Sequence, residues 1–191
     1  ALVEKFRIGS EFNDSLPGLM ETIERDAKDG NEEAAVLRLL AHSGFRIGSG
    51  KIRGEQEVFG ATTLRQEHVK VDGDTVHFDF KGKAGIQQTH SITNTDLARE
   101  ISERIERNGN KIYETTDRAV RRYLDSISED KFIVHDFRTW NATDAARQAI
   151  AGMPVPQNAE QYWDRRDRVL DAAASKIGDS RAVAEEVYVD P

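Results

Sequence analysis

The sequence predicts a mainly helical α+β fold with one three-stranded antiparallel sheet, and three observations predict it. Apolar residues recur at helical spacing on both flanks, from Leu16 to Ala41 and again from Leu97 to Val187. Between them, over about 66–92, apolar and polar residues alternate as in half-buried strands. Gly, Asn and Pro mark the points where the period changes. With 191 residues and no cysteine, the chain can bury a core without a disulfide.

A helix pair is expected over 14–42. Leu19, Ile23 and Ala27 form one stripe, Asp29-Gly30-Asn31 breaks it, and Ala35, Leu37, Leu39 and Leu40 form the next. After Gly44 glycines dominate. Three strands then follow at His68–Val71, Val76–Phe80 and Ile86–Ile92, joined by tight turns at Asp72-Gly73 and at Gly82–Gly85, with Lys83 on the second turn. Asn94 or Thr95 caps a helix that carries Leu97, Ile101 and Ile105 and stops at Asn108-Gly109. The remainder reads as helices at Thr115–Ile127, His135–Ala151 and Ala159–Lys176, then a short one from Asp179 or Ser180 to Val187. Met153-Pro154-Val155-Pro156 separates two of these and is the one candidate seam in what reads as a single domain over 1–191. There is no internal repeat and no low-complexity tract.

Composition narrows the function. The absence of cysteine removes thiol nucleophiles and cysteine metal sites, and fits a reducing compartment. No run reaches the roughly 20 apolar residues of a membrane span, and Glu4, Lys5 and Arg7 interrupt the stretch a signal peptide would need. A soluble, cytoplasmic protein with no membrane partner is expected. The formal charge of -7 weighs against a nucleic-acid partner. Local basic clusters survive that average: Arg118, Arg121 and Arg122 on one helix, and Arg165, Arg166 and Arg168 after Tyr162-Trp163. Each of them, taken alone, reads as a solvated helix face laced with ion pairs.

Four residues carry candidate chemistry: Arg46 in Phe45-Arg46-Ile47-Gly48, Lys83 in Gly82-Lys83-Ala84-Gly85, Arg138 in Asp136-Phe137-Arg138-Thr139-Trp140, and Tyr188 at the end of the last helix. Attack on a phosphodiester requires neutralising two nonbridging oxygens and giving a proton to the leaving oxygen. Arginine suits the first task because its planar fork bonds two phosphate oxygens and stays charged. Lysine on a mobile turn can supply the proton, and a tyrosine among cations can supply the nucleophile. Singly, each has a structural explanation: Tyr188 as an amphipathic cover for the core, Arg46 as a loop residue, Lys83 as a solvated turn residue. Arg138, between Phe137 and Trp140, resists that explanation most.

Their order and local context resemble the catalytic domain of type IB DNA topoisomerases of the poxvirus-like and bacterial branch. The resemblance spans nearly the whole chain. Its most specific stretch is Arg46-Ile47-Gly48 followed by Gly60-Ala61-Thr62-Thr63-Leu64-Arg65-Gln66-Glu67-His68-Val69, against a family pattern of Arg-x-Gly and Gly-x-x-Thr-Leu-x-x-x-His-Val. Phe78 to Gly85, Asp136 to Trp140 and Gly178 to Tyr188 match in the same order. The resemblance implies that Arg46 and Arg138 clamp the scissile phosphate and Lys83 protonates the leaving 5′-oxygen. Tyr188 would then form a 3′-phosphotyrosyl link that stores the bond energy, so that neither ATP nor a metal is needed. It also implies a monomer acting on double-stranded DNA, with Arg65, His68, His135 and Arg181 at the DNA surface.

The chain departs from the family pattern at several points. Asp179 stands where the family has a His or Asn that donates to a phosphate oxygen, and an ionised carboxylate cannot donate. Asp179 either sits protonated in the site, or turns away to cap the last helix, or weakens activity; the cap is the favoured expectation, with Ser180 or Arg181 as substitute donor. Arg181 replaces a family proline, and Ile52 replaces a phosphate-contacting tyrosine. His135-x-x-Arg138 spells an element of tyrosine site-specific recombinases, which share this fold and chemistry. A recombinase or integrase catalytic domain, and a DNA-binding relative with impaired catalysis, are therefore the alternatives. A counterpart of the family's small N-terminal β domain is not expected before Leu16.

Overall fold

A computed structural model describes residues 2–49 and 57–188, with side chains over 7–49 and 57–186. The helix pair is present as α1 (Leu2–Lys28) and α2 (Glu32–Ser43). The pair starts twelve residues earlier than the expected 14, because the helix runs through Pro17. Proline in a helix interior forfeits one backbone hydrogen bond, and packing outweighs that loss here. Phe12 is 1% exposed and meets Phe132 and Phe137 edge-on at centroid distances of 5.2 and 5.0 Å, so the turns before Pro17 are held by the core. Burying such a ring stabilises by roughly 2–3 kcal/mol. Asn31 caps α2 by accepting the Ala34 N–H at 2.7 Å, and Gly44 ends it in the left-handed conformation at φ 68°.

Helix α2 is buried on every face and forms the centre of the fold, against α1, α4 (Asp117–Ser128) and α5 (Val134–Ala151). The sheet is a meander of β1 (Val69–Asp72), β2 (Thr75–Lys81) and β3 (Gln87–Thr93), antiparallel throughout, with Val69 opposite Phe78 and Phe80 opposite Gln88. Along β2 the alternation works as the sequence implies: Val76, Phe78 and Phe80 face the core. Phe45, just past α2, meets Phe78 and Phe80 edge-on at 5.2 and 5.1 Å and so joins the helical core to the sheet. Helix α3 (Thr95–Asn108), capped by Asn94, covers the meander.

The acidic chain spends many of its charges internally. Arg38 and Arg104, each 4% exposed, are paired with Glu24, Glu32 and Glu100, which binds α1, α2 and α3 together. Helices α5 and α6 (Ala159–Ile177) form an antiparallel hairpin around the Pro-rich loop, with Ala142, Ala146, Ala173 and Ala174 in their contact. Small side chains there let the two backbones approach. The chain closes with α7 (Arg181–Val183), continued by a wider π-helical turn over Ala184–Tyr188. Among the described residues no helix is long and apolar enough to cross a membrane.

Candidate active site

Arg46 is positioned by two sequence motifs that fold into one device. The Gly60–Thr63 turn docks on the Arg46–Gly48 segment: the Ala61 N–H donates to the Arg46 carbonyl at 2.9 Å and the Thr62 N–H to the Ile47 carbonyl at 2.8 Å. The Thr62 hydroxyl donates to the Ile47 carbonyl at 3.0 Å. Contact is so close that a Cβ on Gly60 would stand 2.5 Å from the Gly48 nitrogen, so only glycine fits. This explains why Arg-x-Gly and Gly-x-x-Thr-Leu occur as a pair. Leu64, fully buried, anchors the turn in the core.

Arg138 comes from the second turn of α5 and is buried. One guanidinium nitrogen, Nη1, donates to the Gly44 carbonyl at 2.6 Å, which places the C-terminal end of α2 against the site. Asn141, one turn further along α5, donates through Nδ2 to the carbonyls of Leu40, Ala41 and Phe137. That buried amide caps α2 and fixes the α2–α5 crossing. Sequence reading missed it, although a polar residue three positions after Arg138, on a helix otherwise rich in alanine, is the signal that could have found it.

The two arginines converge on one atom. Arg46 Nη2 and Arg138 Nη2 each donate to Asp179 Oδ2 at 2.8 Å, and the Asp179 side chain is 7% exposed. The expected capping role of Asp179 is therefore corrected. Ser180 is the cap, its hydroxyl accepting the Val183 N–H at 3.3 Å, because the helix begins one residue later than an Asp179 cap requires. The carboxylate is instead drawn between two guanidinium groups, Arg138 buried and Arg46 partly exposed, where opposite charges attract more strongly than in bulk water. Chemically its oxygen stands in for an anion oxygen in a two-arginine seat.

Lys83 lies on the β2–β3 turn, which is bent by left-handed backbone at Ala84 (φ 61°) and Gly85 (φ 74°). It lines a cavity of about 420 Å³ together with Arg46, His135, Arg138, Asp179 and Ser180. A second cavity of about 540 Å³ shares Arg46, Lys83, His135 and Arg138 with the first and adds Arg121 from α4. His135 is exposed in the first turn of α5. Asp136 accepts the Ile133 N–H at 2.8 Å and so starts that helix; burial pushes its carboxyl above the usual carboxylate range. Beneath the seat, burial first and then the charges of Lys176 and Arg138 hold the His90 imidazole down to about 4.

Gly178, at φ 62°, turns the chain from α6 into the segment 179–188. Arg181 does not line the cavity. Its guanidinium forks onto Asp171 at 2.7 and 2.6 Å and reaches Asp167 at 2.8 Å, pinning α7 to α6, so the donor role expected of it is corrected. Ala184 is fully buried. Tyr188 closes the π-helical turn, and its side chain lies outside the described residues, as does Ile52.

Of the remaining candidates, Arg65 covers the Phe59 ring at 4.9 Å and pairs with Glu57 and Glu67. His68 is turned inward: its side chain is 10% exposed, its ring meets Phe59 at 4.2 Å, and its Nδ1 accepts the Arg65 N–H at 3.1 Å. Burial lowers its pKa. The expected DNA-surface role of His68 is thus corrected to a support for the loop that carries Arg65. Phe59 binds both residues, and a histidine followed by a core valine gave no sign of it.

Comparison with known proteins adds three findings. The family model described as the catalytic core of eukaryotic DNA topoisomerase I matches residues 3–189. A DNA topoisomerase 1B of Acanthamoeba polyphaga mimivirus is 22% identical over 208 residues, covering 97% of this chain, which spans 62% of that relative's length. Among solved structures, the XerH site-specific recombinase bound to its difH substrate in a pre-cleavage complex matches with a TM-score of 0.59. It is 14% identical, and the match covers 94% of this chain and 50% of that one.

Proposed function

This chain belongs to the DNA topoisomerase I catalytic-core family, and on that premise we propose that it cuts and rejoins one strand of duplex DNA and so relaxes supercoils. The observation that carries the reading is the convergence of Arg46 and Arg138 on a single anionic oxygen, with Lys83 in the same cavity. A scissile phosphate would take the place of the Asp179 carboxylate between the two guanidinium groups. The Tyr188 phenol would release its proton to solvent as its oxygen attacks phosphorus, and the bond to the 5′-oxygen would break as Lys83 gives that oxygen a proton. The 3′-phosphotyrosyl link keeps the phosphodiester energy. Religation then reverses the step without ATP or a metal, while the cut strand rotates. The chain acts in this reading as a monomeric catalytic domain on double-stranded DNA.

Asp179 makes this a restrained site, because the seat is filled by the protein's own charge until DNA displaces it. Supercoiled plasmid incubated in EDTA without ATP tests the proposal. Relaxation by the wild type and none by Tyr188→Phe supports it. Plasmid left supercoiled by both, with DNA binding intact, would favour a DNA-binding relative that lacks the reaction. A recombinase would need paired sites and would yield recombinants. His135 lines both cavities and keeps that reading in view, while the family match favours the topoisomerase.

A further inference from the structure

Strand β3 presents seven residues, and its only buried position holds a glutamine, Gln88, 7% exposed. An apolar side chain would be the ordinary occupant, since an amide costs free energy to bury unless it is hydrogen-bonded. Its partner is specific. Gln88 Nε2 donates to the Gly178 carbonyl at 2.7 Å. The fit is tight on that side, because a Cβ on Gly178 would stand 2.0 Å from Gln88 Oε1. It is tight on the other side too, where a Cβ on Gly82 would stand 3.0 Å from Gln88 Cγ.

Gln88 therefore touches two parts of the cavity. Gly82 precedes Lys83 on the β2–β3 turn, and Gly178 precedes Asp179 and the segment that ends at Tyr188. No other polar side chain described links the sheet to Gly178. We propose that Gln88 is a positioning residue for strand cleavage. Its amide fixes the Gly178 carbonyl, and so sets the direction in which residues 179–188 leave α6 and approach the arginine seat. This rests on the strand-cleavage reading above. A near-attack geometry tolerates little misplacement, so a loosened tether would slow the bond-forming step without weakening the grip on the duplex.

The test compares wild type, Gln88→Met and Gln88→Glu for thermal melting, duplex binding and single-turnover formation of the covalent protein–DNA adduct. Methionine keeps the length and removes the donor. Gln88→Met is expected to bind duplex within about twofold of wild type and to form adduct at least about tenfold more slowly. Gln88→Glu separates positioning from mere packing, because a protonated carboxyl donates to the Gly178 carbonyl and an ionised one repels it. Its adduct rate should fall with rising pH along a limb that wild type lacks. The inference is overturned if Gln88→Met forms adduct at the wild-type rate, if its loss tracks a parallel loss of binding, or if Gln88→Glu follows the wild-type pH profile. Wild type that forms no adduct refutes the strand-cleavage reading itself and this inference with it.

Discussion

Replacing Asp179 with asparagine should make the protein less stable and its cleavage step faster. The carboxylate Oδ2 lies 2.8 Å from both guanidinium nitrogens, so a phosphate entering the seat meets a like charge in close contact. Two unit charges about 4 Å apart repel by roughly 4 kcal/mol at an effective dielectric constant of 20. Arg46 is 33% exposed, and solvent entering from that side cuts the repulsion to about 2 kcal/mol. At about 1.4 kcal/mol per factor of ten, the predicted gain is about 30-fold. Asparagine keeps the shape and adds an N–H that can donate to a nonbridging oxygen. It also removes the carboxylate charge that lies 2.8 Å from Arg138, which is 4% exposed. The retained Gly44 carbonyl limits the resulting stability loss to about 1–3 kcal/mol. Single-turnover adduct formation on a duplex whose short cleaved end diffuses away measures the rate, and urea melts measure stability. A folded Asp179→Asn variant with an unchanged or lowered cleavage rate would refute the reasoning.

Further outcomes follow from other parts of the site. Gly60→Ala places a methyl 2.5 Å from the Gly48 nitrogen and 2.6 Å from the Arg46 carbonyl oxygen; the backbones must part, at a cost of about 2–3 kcal/mol in urea melts, and duplex affinity should fall with Arg46 displaced. Arg121 lines the second cavity and has no ion-pair partner among the described residues; Arg121→Ala should reduce the slope of log affinity against log salt by about 0.9 if it contacts a phosphate, and an unchanged slope would remove it from the DNA path. His90, held to about 4 by burial, binds its proton more readily in the unfolded chain, so stability should fall as pH drops from about 6.5 toward 4. After solvent screening the loss is about 1–2 kcal/mol, and His90→Asn should flatten that part of a stability–pH curve measured by denaturant melts.

Much of the fold was legible because local rules and tertiary packing agree. Asn94 caps a helix where the sequence placed a cap, Asn31 caps one where the sequence placed a break, Gly73 and Gly85 take the left-handed turns between strands, and Val76, Phe78 and Phe80 face inward by simple alternation. The start of α1 was not legible: the helix pair was expected from residue 14, and only the distant contact of Phe12 with Phe132 and Phe137 holds the helix on the other side of Pro17.

The site divides the same way. Sequence by itself determined which residue types are available and in what order, and the family resemblance carried by the motifs around Arg46, Lys83 and Arg138 led to the expectation that they share a phosphate-handling cavity. Tertiary structure alone decided what each side chain does there. Asp179 sits in the arginine seat rather than on a helix cap, Arg181 is taken up by Asp167 and Asp171, and His68 faces inward against Phe59. Gln88 and Asn141 hold the elements around the site together. The physical reason is range. Caps, turns and periodicity are set by neighbours a few residues away, whereas the fate of a buried charge or amide depends on partners brought close only by the finished fold.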